Sequence, residues 1–197
     1  MKSEEYISQS PFCNLYRSNI SRVGARSGVA VELKSHLPIE RQARVIGATW
    51  LDQQLIGGGS GLGDLGFGSE AKQAMQQRAD FLTEQGLAER RGQRAILARN
   101  LLGTLRNQDL AQVAKDIAAD TGLEHRPVAD GQRVAGIYRR SVMLASGRYA
   151  MLDDGMGFSL VPWKPVIEQR LGQQIAATVR GGGVSWEMGR QRGLSIS

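Results

Sequence analysis

The sequence is poor in the residues that most often build catalytic and metal sites. It has one cysteine and two histidines in 197 residues. With Cys13 alone, the chain cannot form an internal disulfide framework or a thiolate metal site. His36 and His125 lie far apart, and neither has another histidine at ligand spacing. The sequence therefore predicts no metal site and no cofactor.

Long apolar runs are also lacking. No stretch approaches the roughly 18 apolar residues that a membrane-spanning helix requires. The first ten residues, MKSEEYISQS, hold two acidic side chains and no apolar core, which argues against a signal peptide. We therefore expect a cytoplasmic protein that does not contact a membrane.

No group of residues points to catalysis. Gly61–Gly66 matches the G-x-G-x-x-G pattern, but a helix is predicted before it where a dinucleotide site needs a strand. Asp153 and Asp154 precede Gly155, a position typical of turn residues rather than of a catalytic carboxylate pair. We therefore expect neither an enzyme nor a small-molecule substrate.

Positive charge is concentrated near the end of the chain. The net charge is +6; residues 1–131 hold 16 basic and 15 acidic side chains, whereas residues 132–197 hold nine and four. Eight of those nine are arginines, whose planar guanidinium can bind a phosphate through two hydrogen bonds. This excess favours a surface that faces nucleic acid, although an ordinary solvated surface would show a similar charge.

The first two thirds of the chain show helical periodicity. Residues 1–27 have no sustained period and predict a loosely ordered extension; in the region 28–122 a short strand is expected at Val29–Leu33. Helices are expected from Pro38 to Ile56, after a Ser69 cap, and from an Asn100 cap to Gly122. With a short hairpin at Leu87–Ala98, the pattern is winged-helix-like.

The remaining residues, 123–197, change to the two-residue period of strands. Six short strands are expected at Val134–Tyr138, Ser141–Ala145, Arg148–Leu152, Gly157–Val161, Ile175–Val179 and Val184–Met188. Asp154-Gly155 is a hairpin turn signal, and Pro165 opens a helix of about two turns. The predicted fold is α+β, a helical region followed by a small bent β-barrel with one short helix.

Aromatic residues alternate with the arginines of this last region. Exposed rings could stack on unpaired bases, at about 1–3 kcal/mol for each base; buried rings would instead form the barrel core. The candidate DNA-binding residues are Arg139, Arg140, Arg148, Arg180, Arg190, Arg192, Tyr149 and Trp163.

An ordered series of segments adds a family resemblance. The segments are Val29–Gln42, Gly47–Leu55, Gly66–Arg94, Asn100–Arg106, Val134–Tyr138, Ser146–Trp163, Leu171–Gly172 and Val184–Gly193. They resemble the C-terminal domain of relaxase and mobilisation nuclease proteins, which process plasmid DNA and T-DNA borders. Relaxases of this family nick DNA with a tyrosine and a metal-binding histidine cluster in their N-terminal module, and no residue here matches that cluster.

The resemblance implies an accessory role in conjugative DNA processing. The expected function is a non-catalytic module that binds the backbone of single- or double-stranded DNA beside relaxosome or type IV secretion proteins. The alternative is a protein-interaction module that docks on a relaxase, a coupling protein or a secretion component. That alternative predicts an exposed apolar patch around Trp163 or Trp50.

Overall fold

The computed structural model describes residues 35–92 and 94–187. This part of the chain is α+β, with a helical region followed by a five-stranded antiparallel sheet. The helices are α1 (Ile39–Gln42), α2 (Trp50–Ile56), α3 (Phe67–Glu84) and α4 (Leu101–Thr121). The strands are β1 (Ala88–Arg91), β2 (Arg94–Leu97), β3 (Arg133–Leu144), β4 (Gly147–Asp153), β5 (Phe158–Pro162), β6 (Gln174–Arg180) and β7 (Gly183–Glu187).

The helix expected from Pro38 to Ile56 is two short helices. The chain leaves helical geometry between α1 and α2, where Gly47 has a φ of +130°, a conformation that side-chain-bearing residues rarely adopt. Thr49 then restarts the helix through a capping box, because its backbone N–H donates to the Asp52 carboxylate at 2.7 Å. The prediction of one continuous helix is therefore wrong.

α3 packs through small side chains. Ala71 and Ala74 are buried on its inner face, together with Leu82. The predicted Ser69 cap is wrong, because α3 begins at Phe67 with Gly66 as its N-cap residue. After α3, Gly86 has a φ of +69°, as expected for the glycine that follows a helix, and the β1–β2 hairpin comes next.

α4 joins the helical region to the sheet. Its first half places Leu101 and Leu105 against Leu82 of α3. Its second half places Ala114 and Ile117 against the sheet. Since each helical residue advances about 1.5 Å, these 21 residues span about 30 Å. Both packing groups therefore share one rigid element.

The sheet has the strand order β5-β4-β3-β6-β7. The two strands expected at Val134–Tyr138 and Ser141–Ala145 are one strand, β3, with a bulge at Arg139. One face of the sheet, called here the inner face, carries the cluster Tyr138, Ala150, Leu152, Val161, Ile167, Ile175, Ala177 and Val184. The outer face packs on α4 through the cluster Ala114, Ile117, Leu144, Tyr149, Met151, Phe158 and Leu160.

The sheet is open, so the prediction of a β-barrel is wrong. Its edge strands β5 and β7 are not hydrogen-bonded to each other. The free edge of β5 is bonded instead to the segment 124–126: Arg126 N–H donates to the Phe158 carbonyl at 2.7 Å, and Phe158 N–H donates to the Glu124 carbonyl at 2.9 Å. The predicted short helix is a 3-10 helix, Pro165–Arg170, whose Ile167 packs on the inner face.

Some expectations lie outside the described residues: the extension 1–27, the strand Val29–Leu33 and the strand end at Met188. Within the described part of the chain, no helix is both long and apolar enough to cross a bilayer.

Candidate nucleic-acid interface

Four arginines of the sheet region have acidic partners. They are Arg126, Arg133, Arg139 and Arg148, and their partners are Asp154, Glu187, Asp153 and Glu168. The Arg139 Nε lies 2.9 Å from Asp153, and the Arg148 Nη1 lies 3.2 Å from Glu168. Because each pair is nearly neutral at a distance, the predicted residues Arg139 and Arg148 offer little attraction to a phosphate.

The predicted arginines do not form one strip. Arg148 is opposite Met143, on the same face as Ala150 of the inner cluster. Arg140 is opposite Met151, which belongs to the outer cluster. Arg148 and Arg140 therefore point to opposite faces of the sheet.

Arg140 and Arg180 share the outer face but lie far apart on it. Thr178 is opposite Arg133, so Arg180 aligns with position 131, nine residues before Arg140. At about 3.3 Å per residue, this is about 30 Å along the strand. Arg140 and Arg180 therefore do not form one compact contact surface for the DNA backbone.

The two predicted aromatic residues have core roles. Tyr149 is buried in the outer cluster, and burial raises the pKa of its hydroxyl. Trp163 is half-buried; its Nε1 donates to the Tyr138 hydroxyl at 3.1 Å, and the Arg148 guanidinium lies 3.8 Å from its ring centroid. The Tyr149 ring is therefore part of the core rather than an exposed stacking surface, and one face of Trp163 is already covered by Arg148. Their predicted DNA-binding role stays a prediction.

Of the predicted site residues, Arg180 lies in a groove with unpaired cations. The groove, called here the hairpin-tip groove, has a volume of about 490 Å³ and lies at the end of the β6–β7 hairpin. Its lining residues are Lys164, Thr178, Arg180, Gly183, Val184 and Ser185. In the described part of the chain, neither Lys164 nor Arg180 has a carboxylate oxygen within 4.0 Å.

The tip itself is a glycine turn. Gly181 and Gly182 have φ values of +57° and +77°, the left-handed geometry that a two-residue hairpin turn needs. The backbone N–H of Gly181 donates to the Asp130 carboxylate at 2.6 Å, which fixes the turn to the chain before β3. The turn that presents Arg180 is therefore held in place by a hydrogen bond to Asp130.

Arg106 of α4 reaches the same tip. A Cβ added to Gly182 would overlap its guanidinium, so the arginine lies directly against the turn. Like Lys164 and Arg180, Arg106 has no ion-pair partner among the described residues. Three cations that are unpaired in the described part of the chain, from α4, from β6 and from the segment between β5 and the 3-10 helix, therefore lie around one glycine turn.

Sequence reasoning missed two of these three cations. Arg106 lies in a predicted helix outside the basic last third, so a count of charge by segment places it in the nearly neutral part of the chain, residues 1–131. Lys164 is the only lysine of residues 132–197, and it was missed because the candidate cations of this region were chosen among its arginines. The run Gly181-Gly182-Gly183 after Arg180 is the one signal that could have marked the tip.

Arg190 and Arg192 lie outside the described residues, so their predicted role stays a prediction.

Asp153 and Asp154 are turn residues, as predicted. Their carboxylates accept hydrogen bonds from the backbone N–H groups of Gly155, Met156 and Gly157 at 2.8–2.9 Å. These backbone hydrogen bonds are the main reason that the pKa of each carboxyl is below its usual value. The pair therefore closes the β4–β5 connection.

The helical region carries an exposed apolar surface near Trp50. The Trp50 and Phe67 rings have centroids 6.0 Å apart. Phe67 is 45% exposed, Leu65 is 89% exposed and Ile56 is 55% exposed. Large apolar side chains that are exposed together often mark a protein-binding surface.

Comparison with known proteins adds one finding. Residues 16–195 match a family described as a protein of unknown function, DUF3363. The chain belongs to the DUF3363 family. No curated protein and no solved structure matches the chain significantly.

Proposed function

We propose that this DUF3363 protein is a non-catalytic accessory module of conjugative or mobilisation DNA processing that binds DNA backbone in the cytoplasm. The observation that carries the proposal is the set of three unpaired cations, Arg106, Lys164 and Arg180, around the Gly181–Gly183 turn. Each can bind a phosphate oxygen without first leaving a carboxylate in the described part of the chain.

The chemistry of the tip suits phosphodiester recognition rather than base reading. The Ser185 hydroxyl lines the groove with the cations, and hydroxyls are common donors to phosphate. The lining residues include no aromatic ring on which a base could stack. Binding of this kind depends on counterion release and is largely independent of sequence.

The placement in conjugation rests on the segments that resemble the C-terminal domain of relaxase and mobilisation nuclease proteins. A relaxase holds its nicking chemistry in another module, so an accessory domain can add DNA affinity without catalysing a step. The order of α3, the β1–β2 hairpin and α4 supports a winged-helix-like helical region. Relaxosome or type IV secretion proteins are the partners that this role implies.

A binding assay with a charge-matched control tests the proposal. Fluorescence anisotropy would be measured with a labelled short duplex and with one of its strands, at about 50 mM salt. The variant Arg106→Ala/Lys164→Ala/Arg180→Ala should lose most of the affinity. The control Arg126→Ala/Arg133→Ala/Arg139→Ala removes the same net charge from ion-paired arginines and should retain it. Equal losses in both variants would contradict a site at the hairpin tip.

A second candidate function is a protein-interaction module, which the contact between Trp50 and the exposed Phe67 ring favours, together with the exposed Leu65 and Ile56 side chains of the same region. The described residues 35–122 hold ten basic and ten acidic side chains, so the helical region as a whole has no charge that would attract DNA. A pull-down with a relaxase, a coupling protein or a secretion component as bait, with and without nuclease, would separate the two functions. Capture that survives nuclease supports direct protein contact, and capture that nuclease abolishes shows that DNA bridges the two proteins.

A further inference from the structure

A second groove lies on the helical region, between α3 and the β1–β2 hairpin, and has a volume of about 560 Å³. It is called here the α3–hairpin groove. Its floor is apolar and consists of Leu55, Met75, Ala79, Ala95 and Leu97. Every charged residue that lines it is a cation: Lys72, Arg90 and Arg94.

The wall that α3 contributes has the spacing of a helix-packing surface. Lys72, Met75, Gln76 and Ala79 line the groove and are spaced i, i+3, i+4 and i+7, so they share one face of the helix. Met75 on this face is half-buried and packs against the core cluster of Ala43, Leu51 and Ala74, and methionine adapts its shape to different apolar partners. A second helix could lay its own apolar side chains into such a face, as in other helix-in-groove complexes.

We propose that the α3–hairpin groove binds an amphipathic helix of a partner protein, with apolar residues one turn apart on the groove floor and acidic residues on both sides. Charge complementarity selects this occupant, since all the charged groups that line the groove are positive. The proposal rests on the second candidate function above and is independent of DNA binding at the hairpin tip.

The ion pairs already present do not prevent this binding. Lys72 pairs with Asp64, and Arg90 pairs with Asp80; all four side chains are more than a third exposed. Exposed pairs of this kind contribute about 0–1 kcal/mol, so they open at small cost. Until they open, Lys72 and Arg90 are nearly neutral at a distance, and the first attraction to a partner carboxylate comes from Arg94. Arg94 has no carboxylate partner in the described part of the chain, and it is the cation most open to a ligand.

Nucleic acid is the less favoured occupant. The acidic residues Asp64 and Asp80 are paired with two of the cations that line this groove. They would repel a continuous phosphate backbone, whereas a helix can place its few carboxylates opposite the cations alone.

A peptide selection tests the proposal even while the partner protein is unidentified. A displayed library of random peptides of about 16 residues, about four helical turns, would be selected on the wild-type chain after depletion on an Arg94→Glu variant. We expect enriched peptides with apolar residues three or four positions apart and acidic residues between them. Enrichment of basic peptides, or no enrichment that depends on Arg94, would overturn the proposal.

The strongest enriched peptide would then be measured by fluorescence anisotropy. Met75→Glu and Arg94→Glu should each weaken binding at least about tenfold, the equivalent of 1.4 kcal/mol. Arg41→Glu, which reverses another exposed arginine of the helical region, should leave binding unchanged. Circular dichroism would confirm that each variant is folded. If Met75→Glu unfolds the protein, the exposed Arg94→Glu change still tests the proposal.

Competition separates this site from the proposed DNA site. An unlabelled duplex should not displace the peptide, and the variant Arg106→Ala/Lys164→Ala/Arg180→Ala should bind the peptide normally. Displacement by the duplex would show that the α3–hairpin groove is a nucleic-acid site and would overturn the proposal. Loss of DNA binding with retained peptide binding would leave it intact.

Discussion

Arg78 and Asp52 form a fully buried, two-pronged ion pair. Arg78 Nε donates to Asp52 Oδ1 at 2.8 Å, and Nη2 donates to Oδ2 at 2.9 Å. The other N–H groups of Arg78 donate to the carbonyls of Gln42, Val45 and Gly47 at 2.6–3.1 Å. All five donors of the guanidinium are therefore used, and they hold α3 against α2, the last residue of α1 and the irregular segment between those two helices.

Replacing Arg78 should destabilise the protein severely. Arg78→Met leaves the Asp52 carboxylate buried and unpaired, which costs about 3–5 kcal/mol. Arg78→Lys should also destabilise, because one ammonium cannot reach both carboxylate oxygens and three carbonyls. Urea denaturation followed by circular dichroism would measure both. A loss below about 1 kcal/mol for Arg78→Met would show that the pair is not needed for the fold.

The sequence could not reveal this pair. Arg78 lies on the same side of α3 as the apolar residues Ala71, Ala74 and Leu82 that sequence periodicity identified. A burial pattern alone assigns a charged residue to solvent, since an arginine is rarely buried without partners. Those partners are carbonyls more than 30 residues earlier in the chain, in a segment that the sequence predicted to be helical.

Gly47 should not tolerate a side chain. A Cβ there would lie 2.6 Å from the Asp109 Oδ2 and 2.7 Å from the Ala145 Cβ, and its φ is +130°. Gly47→Ala should therefore cost about 3 kcal/mol, from backbone strain and overlap together. The same Asp109 oxygen accepts hydrogen bonds from the Ser146 N–H and hydroxyl at 2.9 and 2.7 Å, so the overlap would disturb the junction between α4 and the β3–β4 turn.

Gly58→Ala is the matched control for this prediction. Gly58 also has a positive φ, +70°, but nothing lies within 4 Å of an added Cβ. The control should cost only about 1 kcal/mol, from the left-handed backbone. Thermal denaturation of both variants would measure the difference. Equal losses would mean that the packing of Gly47 against Asp109 adds nothing to the strain.

Asp153 should make stability depend on acid pH. Its pKa lies below the ordinary value of 3.8 because of hydrogen bonds, first from Gly155 and then from Arg139. A carboxyl with a lowered pKa in the folded state stabilises the protein above its unfolded pKa, and this contribution is lost as the pH falls through the folded value. The loss should therefore occur as the pH falls below about 4.

The variant Asp153→Asn isolates this contribution. At pH 7 it should be less stable than the wild type, and the two stabilities should converge as acid protonates Asp153. Urea denaturation from neutral to strongly acidic pH would record both curves. Curves that stay parallel over the whole range would assign the acid sensitivity to other groups.

The sequence predicted local features of the fold better than contacts between residues that are far apart in the chain. The ends of α2 at Ile56 and of α4 at Gly122 were predicted from glycines, and the Asp154-Gly155 turn from its residue types. The continuity of strand β3 was not predicted, because in the sequence a bulge at Arg139 resembles a break between two strands. The pairing of β5 with the segment 124–126 was not predicted either, because hydrogen bonds between segments that are distant in sequence leave no local pattern.

The candidate site shows the same limit. A charge count drew attention to Arg180, but it gave equal value to Arg139 and Arg148, whose acidic partners come from β4 and from the 3-10 helix. Arg106 joins the hairpin tip through the packing of α4 on the sheet, which no local pattern encodes.

The dependence of DNA affinity on salt tests the central claim most directly. If Arg106, Lys164 and Arg180 neutralise three phosphates, the slope of log K against log salt should be about −2.7 for duplex DNA. Affinity should then fall about 40-fold between about 50 and 200 mM salt. The Arg106→Ala/Lys164→Ala/Arg180→Ala variant should have a slope near zero, and the Arg126→Ala/Arg133→Ala/Arg139→Ala control should keep the wild-type slope. Wild-type protein that does not bind at about 50 mM salt, or equal slopes in wild type and hairpin-tip variant, would contradict the account.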